Sequence, residues 1–205
     1  MSSILIAAGW PIWPLFIISV LGLAILLERL WFLRRSKVTP AVSLELALNL
    51  SEKLNTGALT DSDVSQLATQ SPLGSILAPG LLSKKSGLSE FEAIDRLRDA
   101  ANPVFLATDK YLGALATIAT IAPLMGLFGT VVGMIEIFGS QSGAVGSPQQ
   151  LAQGISIALY NTAFGLLIAI PALAGWRGLR AMADARQQEC NDASRRLLKH
   201  LYQAN

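Results

Sequence analysis

The sequence predicts an all-α integral membrane protein whose three transmembrane helices extend into the cytoplasm and assemble as a ring. Three observations lead there. The 205-residue chain is 52% hydrophobic and only 15% charged, too apolar for an ordinary soluble domain. Uncharged stretches over 1–27, 111–135 and 137–176, the last interrupted by a polar segment over 139–153, each hold the roughly 20 apolar residues that cross a hydrocarbon layer about 30 Å thick. All sixteen Lys and Arg fall between Arg29 and Lys110 or between Arg177 and Lys199, which by the positive-inside rule makes both blocks cytoplasmic and leaves the N-terminus outside.

Each element follows from local chemistry. Residues 1–11 form a periplasmic head and 12–33 the first span. No Lys or Arg precedes Arg29, so this span reads as a retained anchor rather than a cleaved signal peptide. Trp10, Trp13, Trp31 and Trp176 sit where aromatic belts are expected. Residues 34–110 form a cytoplasmic helical region. Within it, Thr39-Pro40 starts a helix over 41–54, Asp61 or Ser62 caps a short helix holding Val64 and Leu67, and the apolar, breaker-rich run "SPLGSILAPGLLSKKSG" makes a short helix near the membrane surface. Ser89 followed by Glu92 is a capping-box pattern. It opens a helix with a solvated, charged face, expected to run through Asp109 and Lys110 into the second span with a bend at Pro103. The second span covers 111–138, a periplasmic loop 139–152, the third span 153–176, and a cytoplasmic C-terminal helix 177–205. Cys190 and His200 are each the sole residue of their type. They supply no metal-ligand set, and Cys190 reads as an idle thiol. The net charge of +2 gives no support to nucleic-acid binding.

Small residues recur in steps of three and four along both later spans: Ala119, Ala122, Gly126, Gly129 and Gly133 in one, Gly154, Ala158, Thr162, Gly165, Ala169 and Ala172 in the other. That spacing stacks them on one face, and such faces let helices associate where lipid offers no hydrophobic contrast. Thr130 lies nine residues before Gly139 and Thr162 eleven after Leu151, which places both hydroxyls about 14 to 17 Å below the outer surface, at matched depth. A threonine in a span can also bond its own helix at i−4; two at one depth, with Asn161 adjacent, point to a polar lining. Glu136 is the only formal charge between Tyr111 and Trp176. It lies about two turns from the outer end, and reads as a pore-entrance or interhelical contact. One copy with two polar-faced helices encloses no pathway, whereas a closed ring of copies does.

The segments "APLMGLFGTVVGMIEIF" and "GISIALYNTAFGLLIAIPAL", with the early "WPLFIISVLGLAILLERLWFLRR", resemble the signature spans of the MotA/TolQ/ExbB proton channel family, nearest its ExbB branch. The resemblance implies a homopentamer whose second and third spans surround a dimer of a single-span, ExbD- or TolR-like partner. That partner carries the aspartate that takes up protons, while Thr130 and Thr162 match the family's pore-lining threonines. Work would reach the outer membrane through a TonB- or TolA-like protein. Many relatives carry a charged residue in "GIxEAL" where this chain has Ile157.

The expected function is therefore that of an inner-membrane proton-channel subunit energising outer-membrane transport. The alternatives are a TolQ-like or other stator role, or a non-conducting scaffold. No catalytic residue, metal or cofactor is expected, since no nucleophile, acid pair or phosphate loop emerges.

Overall fold

The computed structural model describes residues 10–140 and 148–203. Residues 1–9 of the expected head and 141–147 of the expected loop lie outside them. Every element among the described residues is helical: α1 (Ile12–Phe32), α2 (Arg35–Val38), α3 (Ala41–Asn55), α4 (Asp61–Gln70), α5 (Pro72–Lys85), α6 (Glu90–Asp109), α7 (Leu112–Ser140) and α8 (Pro148–Tyr202). Three stretches, in α1, up to Glu136 in α7 and from Ala158 in α8, are long and apolar enough to cross a membrane. The chain divides into two compact units, one of Met1–Glu28 with Tyr111–Gly178, the other of Arg29–Lys110 with Leu179–Asn205.

The first unit is small inside and large outside. Ala119 and Ala122 of α7 and Ala158, Ala169 and Ala172 of α8 are buried, whereas Leu124, Leu127, Val131, Leu159, Leu167 and Ile170 are exposed. A water-soluble domain could not leave so much contiguous apolar surface open; helices in lipid pack through small residues and turn leucines to the acyl chains. Leu15 of α1 joins Ala122 and Ala169 in one cluster, with Met125 and Ile168 against it.

The second unit is an ordinary apolar core. Leu50, Leu67, Ile76, Leu77, Leu81, Leu97 and Leu197 are at most 4% exposed within one cluster. α5 is its centre, packed on α3, α4 and α6. The run expected at the membrane surface thus covers the unit's own interior: Leu73, Ile76, Leu77 and Leu81 are all buried by protein. Gly80 makes this possible, since a Cβ there would lie 3.2 Å from Leu97 and 3.5 Å from Leu197. Cys190 is a free thiol, but not a structurally idle one, because it packs at 1% exposure inside the same cluster.

Two local expectations are corrected. The cap of α4 is Thr60, immediately before Asp61, and not Asp61 or Ser62: its hydroxyl accepts from the Asp63 N–H while Asp63 accepts from the Thr60 N–H, the reciprocal bonding that satisfies two orphan donors. Ser89 and Glu92 form the same box at α6, as their spacing predicts. The helix opened by Ser89 does not continue into the span. It passes Pro103 and ends at Asp109, and Tyr111 adopts φ +64 before α7 begins, a left-handed conformation uncommon outside glycine. The competing interactions are visible. Arg29 Nη1 donates to the Ala107 carbonyl at 2.7 Å, the acceptor that the Tyr111 N–H would use in an unbroken helix. Gln187 Nε2 donates to Thr108 Oγ1 and Asp109 Oδ1 at 2.9 and 3.1 Å, and Arg180 pairs with Asp109 at 3.2 Å.

Candidate functional site: the threonine flank of the last two spans

The seam between α7 and α8 sets the site's geometry. A Cβ on Gly126 would lie 2.6 Å from the Asn161 carbonyl oxygen and 3.0 Å from Thr162 Cα; one on Gly165 would lie 2.5 Å from the Ala122 oxygen and 3.1 Å from Gly126 Cα. Glycine is required at both points because backbone meets backbone. At Gly129 the neighbour is the Asn161 side chain, at 2.9 to 3.0 Å, and at Gly133 it is the Ala158 methyl, at 3.5 Å. These pairs descend along one helix as they ascend the other, so α7 and α8 are antiparallel. Asn161, 1% exposed, lies in this seam, folded over Gly129, and acts as an interhelical contact.

Thr130 and Thr162 are both half-buried, at the edge of the seam. At about 100° per residue, each is turned ~60° towards higher residue number from the centre of its own buried face. Between two antiparallel right-handed helices that face each other, the same sense of rotation points to the same side. Ile118, against Gly22 of α1, and Gly175, against Leu26 of α1, are turned the opposite way. α1 therefore covers one flank of the α7/α8 pair, and the two threonines share the other. They are not level, however. Thr162 sits opposite Gly126, four residues from Thr130, so the hydroxyls are staggered by about 6 Å rather than matched in depth.

Thr130 Oγ1 donates to the Leu127 carbonyl at 2.6 Å, an i−3 bond within its own helix. Its oxygen retains acceptor capacity on the flank. Glu136 is exposed and turned ~60° in the opposite sense, to the α1 side; the structure separates it from the threonines. Sequence reasoning overlooked Thr120, which donates to the Ala116 and Thr117 carbonyls at 3.2 and 2.9 Å. Thr120, Pro123, Leu127, Thr130 and Met134 recur at three- and four-residue steps, a spacing that puts all five on the threonine flank of α7. That periodicity is present in the sequence, beside the stronger one of the glycines.

Chemically, such a flank can solvate and relay. Hydroxyls donate and accept, yet do not titrate near neutral pH, and Glu136 lies on the wrong side. Proton uptake at this depth needs an acid from elsewhere.

A model of the MotA/TolQ/ExbB proton channel family matches residues 68–192, a range that contains the whole seam and both threonines. The chain is 34% identical over 183 residues to biopolymer transport protein exbB1 of Vibrio cholerae, covering 86% of this chain and 77% of that protein. It is 43% identical over 76 residues to the Tol-Pal system protein TolQ of Haemophilus influenzae, covering 37% of this chain and 33% of that one. An ExbB homolog of Methanothermobacter thermautotrophicus is 30% identical over 159 residues, 75% of this chain and 53% of its own length. With half the chain matched by the family model and most of it by a relative of this identity, the protein belongs to the MotA/TolQ/ExbB proton channel family.

Proposed function

We propose that this protein is the channel subunit of an inner-membrane motor of the ExbB–ExbD–TonB type, which uses the proton motive force to energise outer-membrane transport. Copies form a ring, five in number as the family resemblance implies, with the N-terminus periplasmic and the C-terminus cytoplasmic. Their threonine flanks turn inward around a single-span, ExbD- or TolR-like dimer that brings the titrating carboxylate. Thr130 and Thr162 line the conduit, Asn161 with Gly126, Gly129, Gly133, Ala158 and Gly165 holds the seam, and Glu136 stands near the outer end of α7 on the α1 side, off the conduit. One observation carries this reading: both hydroxyls fall on the flank that α1 leaves open, so the polar side of each copy is free to face a shared axis. A scaffold that conducts nothing has no use for that alignment.

The test is proton flux through the subunit co-reconstituted with its single-span partner. Thr130→Val and Thr162→Val are expected to leave the purified complex intact and to cut flux at least about tenfold, the loss tied to removing one well-placed relay. Unchanged flux in both variants would favour the scaffold. The 43% identical segment shared with a Tol-Pal protein supports a second reading, a TolQ-like role in envelope maintenance. Co-purification of a TolA-like rather than a TonB-like protein would select it.

A further inference from the structure

The second unit carries a groove that the conduit does not use. It lies between α6 and α8 and encloses about 350 Å³. Leu97, Ala101 and Phe105 form its floor, and Arg98, Asn102 and Arg195 stand on its rim. Phe91 is 73% exposed and falls on the same side of α6 as Arg98 and Asn102 at three- and four-residue steps. An apolar floor extended by a bare phenylalanine and bordered by two cations marks a surface made to be covered.

The same chain presents a match. The outward face of α3 carries Val42, Glu45, Asn49 and Glu52, all exposed and spaced to form one stripe. Val42 is 59% exposed. Among the described residues Arg98 pairs only with its neighbour Asp95, at 3.6 Å with both side chains largely in solvent. Glu45, Glu52 and Arg195 have no ion-pair partner among the described residues. The stripe cannot reach the groove within one copy. Leu48 of α3 lines a hollow with Arg196, Lys199 and His200 of α8, whereas the groove opens on the Arg195 and Ser194 side, between α8 and α6.

We propose that the α6/α8 groove receives the α3 stripe of a second copy of this chain, Glu45 and Glu52 meeting Arg98 and Arg195 while Val42 and Phe91 lose their exposure. Two different patches of one chain make a heterologous contact, the kind that generates rings. The inference rests on the ring proposed above and names the surface that closes it outside the spans.

The experiment uses the full chain in native membranes. Asn49→Cys and Asn102→Cys together are expected to give a disulfide-linked ladder under mild oxidant, and Cys190, 1% exposed, does not compete. Adding Arg98→Glu with Arg195→Glu, or Glu45→Arg with Glu52→Arg, should lower the ladder's yield about tenfold, and combining both reversals should restore it. An oligomer of normal mass that gives no ladder, or a ladder that neither reversal changes, overturns the contact and leaves the ring standing. A chain that is monomeric by native mass overturns both.

Discussion

Gly126→Ala is the sharpest test of the seam. The added Cβ would meet the Asn161 carbonyl oxygen at 2.6 Å and Thr162 Cα at 3.0 Å, about 0.8 Å inside ordinary van der Waals contact. Both neighbours are backbone, so no rotamer change relieves the clash and α8 must move outward as a body. A gap of that size forfeits about a quarter to a half of each contact's dispersion energy along the seam, and overpacking of this kind costs about 1–3 kcal/mol. Alanine returns up to about 1 kcal/mol of helix propensity. With the full alanine gain subtracted, the net loss is up to about 2 kcal/mol, or up to about 8 °C in apparent Tm for a chain of this size. Gly133→Ala meets only the Ala158 methyl at 3.5 Å and Gly113→Ala meets nothing within 4 Å, so neither is expected to lower the midpoint. The assay is thermal unfolding of the purified protein in one detergent, followed by helical circular dichroism. Equal shifts for Gly126→Ala, Gly133→Ala and Gly113→Ala would refute the backbone-contact reasoning.

Burial drives the Cys190 thiol up to about 12, so maleimide labelling at pH 8 is expected to be slow in the folded protein and fast after unfolding. Because the folded value is raised, folding retains a proton that the unfolded chain releases above about 9. Stability should fall between about pH 9 and about 12, and Cys190→Ala should flatten that limb of the unfolding profile. The Glu92 carboxyl is held below its ordinary value by its bond from the Ser89 hydroxyl, then by that from the Ser89 N–H. Its contribution is present at neutral pH and lost as pH falls below about 4.5; Glu92→Gln should remove this acid dependence, read as amide exchange in the first turn of α6.

Much was legible in the sequence because it depends on the chain's own chemistry. Spans follow from uncharged length, since an apolar helix has no better place than lipid. The Ser89–Glu92 box follows from donors that only a side chain three residues away can satisfy, and the glycine steps of α7 follow from helical period. Tertiary structure decided what depends on neighbours. The sequence shows α5 as a short apolar helix, but not that Leu97 and Leu197 are what it packs against. The Glu90 helix reads as continuous until Arg29, 78 residues away, takes the Ala107 carbonyl. Periodicity shows that Thr130 and Thr162 lie beside their small faces, but not which side of the pair they share or how far they are staggered. Both are fixed by backbone contact at Gly126 and Gly165 and by the flank that α1 occupies, for the direction in which a side chain points is a property of the helices around it.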